Sequence, residues 1–116
     1  MLTIGPALKV TIHVNADISS RVNFLHDDIL QFLLKRGVAG ATLLRVQAGF
    51  GTHHRLHKQG AAGVEGEHLP VRIEFIENKE SVDAILPDLC ELISDGLIEV
   101  QATTILKVTA KKADLL

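Results

Sequence analysis

The tripeptide Gly49-Phe50-Gly51 is the motif of this chain that could bind a ligand through its backbone. Residues 42–48 before it are apolar and partly β-branched, which predicts a strand that ends at the glycines. Glycines permit a sharp turn, and the N–H groups of such a turn can donate hydrogen bonds to phosphate oxygens. A bulge in the strand would explain the same glycines without any ligand. The tripeptide alone therefore leaves a phosphate-binding turn and a structural bulge both open.

A group of histidines follows in a polar segment without periodicity, residues 52–66, which we interpret as a long loop. The candidate metal-binding side chains in or next to this segment are His53, His54, His57, Glu65 and His68. No carboxylate or cysteine stands at a recognised ligand spacing from the histidines. We interpret the histidines as solvated loop residues, which with Arg55 and Lys58 form an anion-attracting patch. A metal site is kept as the alternative.

The sequence contains no recognisable catalytic motif, and we do not expect an enzyme. No serine lies in a nucleophile-elbow motif. The single cysteine, Cys90, has no base near it in the sequence and lies among apolar residues of a helical pattern. We predict that Cys90 is a buried structural thiol, since free cysteines are often core residues. A small enzyme with a site at a subunit interface is a third hypothesis, but no reaction type is indicated.

The size and charge of the chain exclude several functional classes. Its 116 residues predict a single domain, 1–116. The net charge is −2, the basic residues form no block, and Trp and Tyr are absent, so nucleic-acid binding is not expected. No apolar run approaches the ~20 residues that cross a bilayer, and no secretory signal pattern opens the chain. We therefore expect a cytoplasmic protein that does not insert directly into a membrane.

Six periodic segments must position these residues: predicted strands over 7–14, 41–50, 68–77 and 97–109, and predicted helices over 22–36 and 82–93. Gly37 is expected to end the first helix in a left-handed conformation. Pro87 is expected to lie off the apolar stripe of the second helix. The order β-α-β-β-α-β predicts an α+β, ferredoxin-like sandwich, in which a four-stranded antiparallel sheet carries two helices on one face.

Two features of this arrangement predict contacts beyond one chain. The last strand is unusually long, and residues 97–116 are interpreted as an extended strand and tail whose second half could pair with another subunit. The two helices cover only one face of the predicted sheet. Leu43, Leu69 and Ile76 are apolar and are expected on the other face, where a partner would have to cover them. An oligomer is therefore expected.

Several of these residues, in this order, resemble the PII-like signalling proteins, which are related to the nitrogen regulatory protein PII and to CutA. The resemblance is closer to a PII-like subfamily long catalogued as a domain of unknown function. It covers about residues 7–101 and is carried by the following motifs: Gly40-Ala41-Thr42, Gly49-Phe50-Gly51, Leu69-Pro70-Val71-Arg72-Ile73-Glu74, Leu86-Pro87-Asp88-Leu89 and Asp95-Gly96-Leu97-Ile98.

The resemblance implies a compact homotrimer, with sheets facing the threefold axis and clefts between subunits that bind a small effector. In the wider superfamily this effector is often an adenine nucleotide, AMP, ADP or ATP, and no tightly bound cofactor is implied. By motif position, the nucleotide-binding residues would be Thr42, Gly49, Phe50 and Gly51, with Arg45 and Arg55 as additional candidates. The loop over 52–66 would relay the effector to an unidentified partner protein, for which a membrane transporter is a candidate.

The chain also departs from the PII pattern. Only Ser94-Asp95-Gly96 stands where PII proteins carry a glycine-rich phosphate loop, so a monophosphate is an easier ligand than a triphosphate. Control by tyrosine uridylylation is excluded, because the chain has no tyrosine. The alternative function is a CutA-like metal-binding module that uses the loop histidines His53, His54, His57 or His68.

Overall fold

The computed structural model of the chain describes residues 2–15, 24–50 and 69–109, together with the backbone of residues 57–58. The described elements, in chain order, are β1 (Gly5–Asn15), α1 (Leu25–Lys35), β2 (Thr42–Arg45), β3 (Ala48–Gly49), β4 (His57–Lys58), β5 (Pro70–Glu77), α2 (Lys79–Leu92) and β6 (Leu97–Ile105). The main sheet has the strand order β2-β5-β1-β6, and all neighbours are antiparallel. This is the predicted α+β, ferredoxin-like arrangement.

The core lies between one face of the main sheet and the two helices. Apolar residues alternate along the two central strands, with Val10, Ile12 and Val14 on β1 opposite Phe75, Ile73 and Val71 on β5. The helices contribute apolar side chains at helical spacing: Leu25, Ile29, Leu33, Val82, Ile85 and Leu89. All twelve form one buried cluster. The alternation predicted for both strands is therefore confirmed.

The end of α1 follows the predicted glycine chemistry. Gly37 has a φ of 77°, in the left-handed region that favours glycine. The N–H groups of Gly37 and Val38 donate to the carbonyl oxygens of Leu34 and Leu33, which closes the last turn. In α2, Pro87 lies inside the helix with its side chain exposed, as predicted from the apolar stripe.

Two predicted strands are shorter in the structure. The strand expected over 41–50 is broken after Arg45, and Ala48–Gly49 leaves the main sheet to pair with His57–Lys58. That pairing also shows that the segment interpreted as a plain loop contains a short strand. β6 ends at Ile105, and residues 106–109 form no strand. The rest of the predicted tail, residues 110–116, lies outside the described residues.

Three side chains lie elsewhere than predicted. Cys90 is exposed, not buried, because it follows Leu89 by one position and so points about 100° away from the buried stripe of α2. Leu43 pairs with Ile73 and packs against the core, and Leu69 is buried. Ile76 does lie on the face opposite the helices and is 37% exposed.

Candidate functional site

The face of the main sheet opposite the helices, which we call the open face, is polar and charged. The register places the following side chains of the three longest strands on it, among others: Lys9, Thr11, His13, Arg72, Glu74, Ile76, Leu97, Glu99 and Gln101. Several of its charges are paired. Lys9 Nζ lies 3.7 Å from Glu74 Oε2, Arg72 Nε lies 4.0 Å from Glu74 Oε1, and His13 Nε2 lies 3.0 Å from Glu99 Oε1.

One cavity lies at the end of this face where β1 ends and β5 and β6 begin. It has a volume of about 450 Å³ and is lined by His13, Val14, Asn15, Phe50, Pro70, Asp95, Gly96 and Leu97. We call it the Phe50 cavity. Gly96 lies close against β1, since a Cβ at this position would come within 2.6 Å of the His13 carbonyl oxygen. The turn between α2 and β6 therefore forms one wall of the cavity.

A second cavity lies further along the sheet. It has a volume of about 390 Å³ and is lined by Leu2, Lys9, Ala39, Gly40, Thr42, Glu74, Phe75 and Ile76. We call it the Thr42 cavity. It combines a hydroxyl group, a carboxylate and an ammonium group with apolar side chains. Such a mixture of apolar walls and a few polar groups is typical of small-molecule sites.

The strand register relates the two cavities to each other. Thr42 pairs with Glu74, which pairs with Thr11 on β1. The Phe50 cavity lies at the row formed by Pro70 and Asn15. These two rows are four residues apart on the same face, or about 13 Å at the usual rise of a strand. Arg72 is at the intermediate position on β5, and its Nε atom lies 4.0 Å from Glu74, a residue of the Thr42 cavity.

The predicted nucleotide-binding residues are distributed over both cavities and beyond them. Thr42 and Phe50 each line the cavity named after them, and the Phe50 ring is 62% exposed. Gly49 lies in β3, paired with His57, and the positive-φ glycines among the described residues are Gly5 and Gly37. A left-handed turn at Gly49 is therefore not present. Its nearest side chain is Pro70, 3.4 Å from an ideal Cβ.

The other predicted site residues either lie away from the two cavities or are not among the residues that the structure describes. Arg45 is three positions after Thr42 on the same strand, so it lies on the helix side of the sheet. The remaining predicted nucleotide and metal residues lie outside the described residues: Gly51, Arg55, His53, His54, Glu65 and His68. Among the residues that are described, no group of three or more His, Cys, Asp or Glu side chains could hold a metal ion.

Several residues of the cavities were not singled out from the sequence. Lys9 and Glu74 were visible only as polar residues of alternating strands, and their contact depends on the register of β1 against β5. Asp95 and Gly96 were noted as part of a resemblance motif and as standing in the place of a phosphate loop, not as cavity residues. Neither α1 nor α2, the two helices within the described ranges, is long and apolar enough to cross a membrane.

Arg45 lies near a buried histidine of the first turn of α1. His26 is 5% exposed, its ring stacks on Phe24, and its Nδ1 atom has no hydrogen-bond partner among the described residues. Burial lowers the pKa of His26 below its ordinary value of 6.5; the carboxylate of Asp27 opposes this shift and the positive charge of Arg45 adds to it. Burial therefore favours the neutral imidazole of His26 in the folded protein.

This lowered pKa predicts a loss of stability in mild acid. Above pH 6.5 both the folded and the unfolded states hold His26 neutral. Below that value the unfolded chain binds the proton first, so the free energy of unfolding falls by up to about 1.4 kcal/mol per pH unit until the folded pKa is reached. Urea unfolding from about pH 7 to about pH 5 measures this slope. His26→Leu should remove this part of the slope, and an unchanged slope would contradict the assignment.

Comparisons with known proteins agree with the fold. Residues 7–105 match the model of the DUF190 family, described as Uncharacterized ACR. CPII, a nitrogen regulatory PII-like protein from Thiomonas intermedia K12, solved with ADP, AMP and bicarbonate bound, is 18% identical and superposes with a TM-score of 0.63 over 92% of this chain and 94% of that chain. The apo form of CPII is 15% identical, with a TM-score of 0.59 over 90% of this chain and 97% of that chain.

A protein from Thermus thermophilus, described as a putative PII-like signaling protein, is also similar. It is 20% identical and superposes with a TM-score of 0.64 over 90% of this chain and 94% of that chain. At these identities the likeness establishes a common fold. The folds of these solved structures and of the described residues are therefore of one PII-like type.

Proposed function

The chain belongs to the DUF190 family and has a PII-like fold, and from this premise we propose that it is a non-enzymatic signalling protein that binds an adenine nucleotide. The observation that carries the proposal is the pair of cavities on one sheet face, which lie at strand rows about 13 Å apart at the usual rise of a strand. That separation is close to the length of an extended nucleoside diphosphate. CPII, which shares the fold, was solved with ADP and AMP bound.

The chemistry of the two cavities suggests an orientation for the nucleotide. In the Thr42 cavity, the Thr42 hydroxyl and the Glu74 carboxylate can accept hydrogen bonds from the amino group of adenine, and Ile76 offers an apolar contact. Each cavity contains one carboxylate, Glu74 in the first and Asp95 in the second, and Lys9 lies 3.7 Å from Glu74, so these charges do not by themselves set the orientation. Arg72, whose side chain is 45% exposed, lies on the way to the Phe50 cavity and can pair with the phosphates. The groups at Thr42 suit the base, and the position of Arg72 leads us to propose that the phosphates lie towards Phe50.

A homotrimer is part of this proposal. The cavities line the open face, where Ile76 and Leu97 expose 37% and 58% of their surface. Apolar residues in a charged face without helices favour burial against another copy of the chain. A second subunit on this face would close the cavities into clefts, as the resemblance to PII-like proteins implies. Water would then be excluded from the bound nucleotide, which strengthens its polar contacts.

We propose that the segment after Phe50 transmits the signal to a partner protein. Phe50 lines a cavity and precedes the predicted 52–66 loop by two residues, so a ligand in this cavity would contact a residue next to the loop in the sequence. The nucleotide can act as a signal only if it binds one arrangement of that segment more tightly than another. The receiver is an unidentified protein, for which a membrane transporter is a candidate, and the setting is the cytoplasm.

Calorimetric titration with AMP and ADP tests the proposed orientation. Thr42→Val removes one hydroxyl group and should weaken AMP and ADP equally, by up to about tenfold, the value of one hydrogen bond. Arg72→Ala should weaken ADP more than AMP, because ADP carries the additional phosphate. Lys35→Ala removes the same charge from an exposed position on α1 and is the matched control.

Different outcomes of these titrations test the orientation of the nucleotide and the proposed nucleotide binding separately. Equal loss of AMP and ADP affinity in Arg72→Ala, with a larger effect of Thr42→Val on ADP, would reverse the assignment of base and phosphate. Wild-type protein that binds neither nucleotide, with or without bicarbonate, would overturn the proposed function. Binding of a divalent metal ion alone would favour the alternative metal module.

A further inference from the structure

The junction between β5 and α2 is tied to two backbone segments that line the Thr42 cavity. Glu77, the last residue of β5, is 2% exposed, and its Oε2 atom accepts a hydrogen bond from the Ala39 N–H at 2.8 Å. Ala39 and Gly40 form one wall of the cavity. A carboxylate is costly to bury and is retained in protein interiors where its oxygens are hydrogen-bonded. Glu77 therefore has a specific partner in that wall.

The end of α1 explains why the Ala39 N–H group has no acceptor within the helix. The N–H groups of Gly37 and Val38 still donate to carbonyl oxygens of the last helical turn. Ala39 is the next residue, beyond the reach of the helix, and its strand, β2, begins only at Thr42. Glu77 supplies the acceptor for its N–H across 38 positions of sequence. The path of the chain between α1 and β2 thus depends on a side chain from β5.

Asn78 makes an equivalent contact to a second wall. It occupies the N-cap position of α2, yet its side chain makes no capping hydrogen bond. Instead its Nδ2 group donates to the Thr3 hydroxyl at 3.1 Å. Leu2, the neighbour of Thr3, lines the Thr42 cavity. Asparagine is a preferred capping residue, but here its side chain binds the N-terminal segment and does not cap the helix.

We infer that Glu77 is a positioning residue for the nucleotide, holding the Ala39–Gly40 wall in the shape that the base requires, and that Asn78 does the same for the Leu2–Thr3 wall. Neither side chain lines the cavity itself. The inference rests on the proposed function, since it takes the Thr42 cavity as the site of the base. A displacement of the wall by about an ångström is enough to lose hydrogen bonds, because their geometry is steep in distance.

The test combines ADP titration with hydrogen exchange of the Ala39 and Gly40 amides. Glu77→Leu should speed exchange at Ala39 and raise the dissociation constant for ADP by about tenfold. Glu77→Gln keeps an acceptor oxygen at the same position, so it should restore both quantities to near the wild-type values. Ile85→Val, a buried change on the core side of α2, is the control for a general loss of stability. Its ADP affinity should be unchanged.

The possible outcomes distinguish failure of the proposed function from failure of the positioning role of Glu77. Wild-type protein that binds neither ADP nor AMP ends the proposed function, and the ligand role of Glu77 with it. ADP affinity that is unchanged in Glu77→Leu, with faster Ala39 exchange, leaves nucleotide binding intact and overturns the positioning role alone. Should Glu77→Leu fail to fold, Asn78→Ala is informative, because it should weaken ADP binding by several-fold and an unchanged affinity would count against the junction. A Glu77→Gln variant that binds ADP as weakly as Glu77→Leu would also contradict positioning by this hydrogen bond.

Discussion

Replacing Gly96 by alanine is expected to lower the free energy of unfolding by about 1–3 kcal/mol, the usual cost of overpacking. The added methyl group would meet the His13 carbonyl oxygen at 2.6 Å and Val14 Cγ1 at 2.7 Å. Both atoms belong to β1, which is paired on both sides in the main sheet and cannot move away freely. The turn before β6 must shift instead, and that turn is a wall of the Phe50 cavity. Urea unfolding followed by circular dichroism measures the change.

Gly40→Ala is the matched control for this experiment. It adds the same methyl group, but nothing lies within 4 Å of the new Cβ, and the residue does not have a positive φ. Its stability is expected to stay the same or to rise by a few tenths to about 1 kcal/mol, since alanine restricts the unfolded chain. Equal destabilisation of both variants would contradict the prediction that Gly96 is needed because of its close contact with β1.

Local periodicity was sufficient to predict most of the fold. The alternation of Val10, Ile12 and Val14 fixes which face of β1 is buried, since side chains of a strand point to opposite faces in turn. Gly37 marks the end of α1 because no other residue adopts its backbone conformation so readily. These features depend on neighbours in the sequence. They are therefore visible without knowledge of the partner strands.

Features that depend on distant pairing could not be predicted in this way. The apolar character of residues 43–50 continues past Arg45, yet the strand breaks there because Ala48–Gly49 pairs with residues beyond Phe50. Cys90 lies one residue from the buried Leu89, and it was assigned to the core because free cysteines are often core residues, not because of its position relative to the apolar stripe. The break in the strand depends on distant pairing, whereas the exposure of Cys90 follows from the local geometry of α2.

The candidate site was predicted in part for the same reason. Thr42 and Phe50 each line a cavity, but the cavities exist only because β5 stands between β2 and β1 in the main sheet. Arg45 was grouped with Thr42 by motif position, although a separation of three residues in a strand puts the two side chains on opposite faces. The sequence did not predict a role for Glu77, because its contact with Ala39 joins two elements that are far apart in the chain.

The proposed homotrimer predicts the other large effect, which the substitution Ile76→Glu tests. Ile76 lies on the open face directly opposite Lys9, so a carboxylate at this position has a favourable neighbour within one chain. In an assembly that buries the open face, the same carboxylate replaces an apolar contact and must lose its water, at a cost of several kcal/mol. Light scattering during size-exclusion chromatography should give the mass of three chains for the wild type and of one chain for Ile76→Glu.

Leu34→Glu is the control, because it makes the same kind of change at an apolar residue of α1 that is 71% exposed. It should leave the mass at three chains. ADP affinity should follow the mass, since a cleft between two copies loses one wall when the copies separate, and Ile76→Glu should therefore bind ADP far more weakly than Leu34→Glu. A wild-type mass of one chain would overturn the trimer. A mass of three chains in Ile76→Glu would mean that the subunits meet through another surface and that the cavities on the open face are complete within a single chain.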